Sequence, residues 1–283
     1  MQVRDFETLI AVAEEGSIEA TARRLGITAA AVSQRLSRME DAAGRQFVVR
    51  DQPSRLTEAG DAMVRAGRQI RLVLEETKLE PDAHPAALRV AVHHDSLAAW
   101  FVPAIAGFFK RTGRTIEIIT ADHTETRNLL RTGQVSAAVS SEPAPLAGCI
   151  VARVGRLEYR AVAAANHASN ATGDGLPALF FDRQDTPTLL AISRLGLSDA
   201  PRSYIPSVHD LHSAVLAGAG WGVMPLPLVA EDLLAGRMIA LELAAVLNVD
   251  LFLHFWRSSG PTLKILEEEV HKAFRSRAHP PDR

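Results

Sequence analysis

Four short stretches of the 283-residue chain gather acids, imidazoles and hydroxyls: His93-His94-Asp95-Ser96, Ala121-Asp122-His123-Thr124, Asp182-Arg183-Gln184-Asp185 and Ser207-Val208-His209-Asp210. Each follows a strand-like segment, and the first, second and fourth open a helical one. Ligands of open α/β sheets bind in loops of this kind, outside the carboxyl ends of strands. Backbone N–H groups at a helix start suit a carboxylate, helped here by the Ser96 or Thr124 hydroxyl, with Ser207 and His209 in the fourth loop. Asp95, Asp122, Asp182 and Asp185 then face an ammonium or a guanidinium, whose planar fork matches a carboxylate. The fitting chemistry is recognition of a small amino-acid-like molecule. Imidazoles, here those of His93, His94, His123 and His209, are weaker partners for a cation than carboxylates are. They leave two alternatives open: a less basic ligand or a pH response, and a metal site from His93 or His94 with His123 and His209.

A second chemistry lies near the amino end. Between Ser17 and Gly44 two short helices are predicted, joined by a tight turn at Gly26. Ser17 and Thr28 are their N-caps. Val32, Leu36 and Met39 recur at i, i+4 and i+7, one buried stripe of the second helix. Ala29, Ala30, Ser33, Gln34 and Ser37 fall elsewhere, small or polar enough to approach base edges. Arg35 and Arg38 flank that face at phosphate height. This is a helix-turn-helix, whose second helix enters a major groove. Ala methyls there can pack on thymine methyls, so hydrogen-bonded base contacts lean on Thr28, Ser33, Gln34 and Arg35. From Met1 to Glu58 there are eight Arg against nine Asp and Glu, so no strongly basic footprint accompanies the motif.

The elements that must position these groups follow in order. A first helix carries Phe6, Leu9, Ile10 and Ala13. A strand at 46–50, a turn at 51–54 and a return at Arg55-Leu56 make a wing with Arg50 and Arg55 near its tip, in reach of phosphates or a narrow minor groove. Thr57 caps a long helix to about Glu80, in which Met63, Ala66, Ile70, Val73 and Thr77 keep the 3-4 spacing of a helix-pairing seam. Two reading heads are needed for a two-fold operator, so this rod is expected to dimerise. Pro81-Asp82-Ala83-His84-Pro85 breaks it. Beyond lie strands at Leu88–Val92, Ile116–Ile119, Ala137–Ser140, Ala178–Phe181, Tyr204-Ile205, Trp221–Met224 and Val249–Trp256. Helices run through Trp100 to Phe109, Thr124 to Arg131, Thr188 to Leu195 and Val208 to Ala217, with a last one at Leu263–Phe274. Strands alternating with helices imply parallel sheet covered on both faces. Two such lobes, linked by crossing strands near Tyr159 and Phe255, leave a cleft. The expected organisation is a winged helix-turn-helix domain at 1–58, a linker helix and hinge at 59–85, one lobe from 86–160 with 262–283, and a second lobe at 161–261.

Ala20, Ala22, Leu25, Thr28, Ala31, Val32, Ser33, Gln34, Arg35 and Glu40 together resemble the signature of LysR-type transcriptional regulators. Three further runs, Leu88–Trp100, Leu130-Arg-Thr-Gly-Gln-Val135 and Gly218-Ala-Gly-Trp-Gly-Val-Met-Pro225, look like the arginine/lysine-responsive branch, also described as chromosome-initiation inhibitors. The resemblance covers nearly the whole chain. It implies an effector domain like that of periplasmic binding proteins, lysine or arginine as effector and control of a basic-amino-acid exporter gene. It also implies a homodimer or a tetramer built as a dimer of dimers. Partners follow: double-stranded operator DNA, expected beside the gene itself, the effector, a second copy of the chain and RNA polymerase, with no membrane and no cofactor.

Composition is compatible. Apolar content of 47% and charge of 23% are those of a globular protein. Cys149 is the only cysteine, which fits a reducing cytoplasm. There is no secretory leader motif and no apolar run long enough to span a bilayer. Neither G-x-S-x-G, H-E-x-x-H nor a phosphate loop occurs, so an enzyme is the weaker class. A replication-modulating or nucleoid-associated DNA binder without effector response is the other alternative.

Overall fold

The computed structural model describes residues 1–49, 51, 53–76, 87–170, 175–241, 247–257 and 260–278, without the side chains of residues 72, 75, 76, 123, 124 and 168–170. Helix α1 (Val3–Glu15) buries Leu9, Ile10 and Val12. Helix α2 (Ile18–Leu25) begins where the Ser17 hydroxyl accepts the Ala20 N–H at 3.1 Å. It stops at Gly26, whose φ of 64° is the left-handed conformation that glycine adopts without a Cβ penalty. Thr28 then caps α3 (Ala29–Ala43), accepting from Ala31 N–H at 3.1 Å. Val32, Leu36 and Met39 are buried as their spacing requires, in one core with Phe47, Val48 and Val64.

Strands β1 (Val48–Val49) and β2 (Arg55–Leu56) pair antiparallel as the wing. Among the described residues the first strand begins at Val48, two residues later than expected, and the Phe47 and Val48 N–H groups donate to Glu40 on α3, at 2.7 and 3.1 Å. Helix α4 (Glu58–Glu76) starts at Thr57, whose hydroxyl accepts the Gly60 N–H at 3.0 Å. Its Gly67 lies against Phe6 of α1, so this face packs on the head. Arg50, Thr77 and the Pro81–Pro85 break fall outside the described residues.

The remainder is mixed α/β. In chain order it comprises β3 (Leu88–Val92), the short α5 (His94–Ser96), a π-turn (Leu97–Phe101), α6 (Val102–Thr112), β4 (Ile116–Thr120), α7 (His123–Arg131) and β5 (Ala137–Ser140). Then follow β6 (Cys149–Ala164), β7 (Ala178–Phe180), α8 (Thr186–Leu195), β8 (Arg202–Tyr204), α9 (Val208–Leu216), β9 (Trp221–Pro225), α10 (Leu226–Leu234), β10 (Met238–Ala240), β11 (Leu247–Trp256) and α11 (Gly260–Ala278). The described strands from β3 onward form one sheet in the order β4-β3-β5-β11-β6-β9-β7-β8, with β10 on β6. Strands β4, β3 and β5 run parallel at one end and β8, β7 and β9 at the other. Between them β6 and β11 pair antiparallel from Tyr159↔Leu247 to Cys149↔Trp256, and these are the crossing strands. Helix α11 packs against α6 and the π-turn before it, where Phe274 meets Trp100 edge-on at 5.1 Å and Arg111 reaches Glu269 at 3.1 Å. The length of β6, and the elements α10 and β10, go beyond the expectation from sequence.

Candidate functional site

On the reading head, burying Val32, Leu36 and Met39 turns Ala30, Gln34 and Arg38 outward, all exposed, with Ser33 and Ser37 half-buried beside them. Two assignments shift. Ala29 is half-buried and packs against the head's core. The half-buried Arg35 donates to Thr8 Oγ1 at 3.2 Å, joining α3 to α1. Arg55 is exposed on the wing. The face is small and polar at its centre and cationic at Arg38, the arrangement a major groove accepts. Gln34→Ala is expected to lower specific operator affinity by about 1–3 kcal/mol with thermal stability unchanged, whereas Arg35→Ala also lowers stability. Footprinting with calorimetric unfolding checks both, and an unaltered footprint in the two variants contradicts this face.

The cleft between the lobes has a volume of about 670 Å³. It is lined by the loops after β3, β4 and β7, as sheet topology requires, and floored by Tyr159 of β6 and Asn248 of β11. Asp95, Asp122, Asp182 and Asp185 all reach it, together with His93 and His94. The Asp95 carboxylate accepts the Tyr159 hydroxyl at 3.0 Å. Burial, reinforced by Asp95 and Asp185, pushes the Tyr159 hydroxyl well above its ordinary range, so it remains a donor. Asp122 caps α7 and Asp182 holds the Gln184 N–H, each at 2.7 Å. Asp185 is otherwise engaged: it accepts Thr188 N–H, Phe181 N–H and Thr188 Oγ1 at 3.0, 3.0 and 2.8 Å. Burial still lifts its carboxyl above the ordinary value. Across the cleft, the His94 ring lies 4.8 Å from that of Phe181.

Ser96, Ser207 and His209 do not line the cleft. Ser96 is turned into the interior by the one-turn helix it closes. Ser207 spends its hydroxyl as the cap of α9, on Asp210 N–H. That helix presents Val208 and Leu211 to the cleft, leaving His209 exposed. The imidazole trio considered for a metal is therefore not assembled among the described residues. The side chains of His123 and Thr124 lie outside the description, while their backbone opens α7. Sequence reasoning missed Glu125, Tyr159, Arg194 and Asn248 as lining residues. Thr186, Leu190 and Arg194 recur every four residues along α8, a helical stripe that could have revealed its cleft face.

Burial holds the His93 imidazole below its ordinary 6.5; His94 adds to the effect while Asp122, Asp185 and Asp182 oppose it. Its Nδ1 accepts the Asp95 N–H at 3.3 Å, which suits the uncharged ring. Buried His254 is depressed likewise, against the opposing Glu142 carbonyl. Their contribution to stability is complete above pH 6.5. It is lost as the pH falls through that value, because the unfolded chain takes up protons first. Thermal unfolding between about pH 7.5 and about pH 5 should show the decline, smaller in His93→Gln; a flat profile in the wild type contradicts it.

Residues 3–61 match the model of the bacterial regulatory helix-turn-helix protein, lysR family, and residues 82–270 match the LysR substrate binding domain. The chain belongs to the LysR family of DNA-binding transcriptional regulators, whose carboxyl-terminal domain binds a small effector. It is 32% identical over 278 residues to the lysine export transcriptional regulatory protein LysG of Corynebacterium glutamicum, covering 94% of this chain and 95% of that one. A full-length structure of LysG from the same organism, with bound effector Arg, superposes with a TM-score of 0.78 at 31% identity, covering 96% and 98%. ArgP from Mycobacterium tuberculosis superposes with a TM-score of 0.80 at 30% identity, covering 95% and 96%. Among the described residues no helix is long and apolar enough to cross a membrane.

Proposed function

We propose that this regulator binds arginine or lysine in its inter-lobe cleft, thereby changes its operator contacts, and controls a gene for export of basic amino acids. The observation that carries the reading is the charge of the cleft. Asp95, Asp122, Glu125, Asp182 and Asp185 line it, with Arg194 the one guanidinium among the described lining residues. An acidic cavity with one cation suits a zwitterion that carries an additional positive charge. This acid excess outweighs the uncharged imidazole of His93, and it favours a basic ligand over a neutral or anionic one. The export assignment and the choice of amino acid are supported by the names and the bound arginine of the relatives.

In this reading residues 1–58 read DNA and 59–85 pair and connect. Residues 86–160 with 262–283 form the first lobe, and 161–261 the second. Exposure of Ile70 at 37% and Val73 at 40%, on the seam with Met63 and Ala66, supports dimerisation through α4. Met63 also touches its own head, so it serves both. The protein acts in the cytoplasm, without a cofactor and without catalysing a reaction, its wing Arg50 and Arg55 beside the DNA backbone. Calorimetry of the full-length protein with arginine, lysine, glutamate and neutral amino acids tests the ligand. Binding is expected for the basic pair only; binding of glutamate or a neutral amino acid with neither basic one contradicts it.

A further inference from the structure

Away from the cleft, the linker helix meets the turn that ends α7. Arg65 and Arg68, one turn apart on α4, reach the carbonyls there. Arg65 Nη1 donates to Arg131 O, and Arg68 Nη1 donates to Gly133 O at 2.9 Å. The Arg131 carbonyl, in the last turn of α7, lacks an intrahelical partner and sits at the negative end of the helix dipole, so a guanidinium suits it; the Gly133 carbonyl lies just past the cap. Arg68 also sends Nη2 to Glu14 of α1 at 2.9 Å. The same carboxylate takes Arg24 of α2 at 2.7 Å and Arg89 of β3 at 3.2 Å. One acidic side chain thus ties the DNA-reading head to the linker helix and to the first lobe. Burial alone would raise the Glu14 carboxyl, yet its arginine partners hold it below the ordinary value.

Gly133 permits the close approach. Its φ is +70°, and a Cβ there would lie 2.9 Å from the Arg65 Cα. Both facts demand glycine in the Leu130-Arg-Thr-Gly-Gln-Val135 run. The opposite end of α7 is cleft wall, where Asp122 caps the helix and Glu125 faces the cavity. A helix of nine residues spans about 13 Å.

We propose that α7 is the rod that carries the state of the cleft to the DNA-reading head, with Arg68 as the positioning residue at its far end. A ligand drawn to Asp122 and Glu125 displaces the amino end of α7. Packed helices shift as rigid pieces, so the Arg131 and Gly133 carbonyls move with it. Arg65 and Arg68 follow on α4, and Arg68 passes the displacement to Glu14 and the head. That the cleft holds the ligand rests on the function proposed above; the junction does not.

Arg68→Ala in the full-length protein tests the rod, since Glu14 keeps Arg24 and Arg89 and no charge is abandoned. Without ligand, amide hydrogen exchange in α1 and in residues 131–135 is expected to accelerate at least about tenfold, with α3 unchanged. With arginine as probe, its calorimetric affinity is expected to stay within about threefold of wild type, while the arginine-dependent change in the DNA footprint disappears. Glu14→Gln, which keeps the shape but weakens the tie, is expected to reduce that change in the same direction. Unchanged exchange at both places, or a footprint of Arg68→Ala that responds to arginine as the wild type does, overturns the rod. A wild type that ignores arginine would instead count against the proposed ligand, and the exchange measurement would still decide the junction.

Discussion

Asp95→Asn is expected to weaken arginine binding by about 2–3 kcal/mol, roughly 30- to 150-fold. Among the acids of the cleft, Asp95 is the one fixed by the crossing strands, since the Tyr159 hydroxyl donates to it at 3.0 Å. The bond orients the carboxylate between the lobes, while the other acids of the loops also serve as local caps. An amide of equal shape keeps the Tyr159 partner but loses the attraction for an ammonium or guanidinium. Asp185→Asn makes the contrast. With three donors already on its oxygens, its loss should unsettle the Phe181–Thr188 turn and lower stability before affinity. Calorimetric titration decides the matter: a loss below about threefold in Asp95→Asn would remove this residue from the recognition of the ligand.

The second large effect is expected at Glu40. Its Oε1 accepts two backbone N–H groups, from Phe47 and Val48, and so fastens the wing to the recognition helix. Hydrogen bonds to a charged acceptor contribute about 1.5–3 kcal/mol each, and Glu40→Ala leaves both donors without it. The head should lose about 3 kcal/mol of stability, with operator affinity falling at least tenfold as the wing detaches. Glu40→Gln keeps an oxygen at the same place and should restore half or more of the loss. Equal damage from both substitutions would mean that charge, and not the acceptor position, holds the wing.

What could be read from sequence is what short-range chemistry determines. Ser17, Gly26 and Thr28 act within three or four residues of themselves, so the helix-turn-helix was legible in outline and nearly in bounds. Strands β3 and β5 were legible because each is a short apolar run between turns. Tyr159 was not legible as a cleft residue, since its place depends on β6 pairing with β11 some ninety residues away. Ser96 and Ser207 face the interior and the start of α9, and not the cleft, for a related reason. A side chain at a helix start is claimed first by its own backbone or by the interior, and the sequence does not rank those claims. Glu40 and Gly133 stood inside recognised runs, but their tasks emerge only when the wing and the linker helix are folded against them.

In the function proposed, occupancy of the acidic cleft alters how the paired heads grip DNA. Footprinting of the full-length protein on the DNA beside its own gene, with saturating arginine, with saturating glutamate and with neither, tests it most directly. A footprint whose extent changes with arginine and stays fixed with glutamate is the predicted result. Identical footprints under all three conditions, from protein shown by calorimetry to have bound arginine, would contradict it.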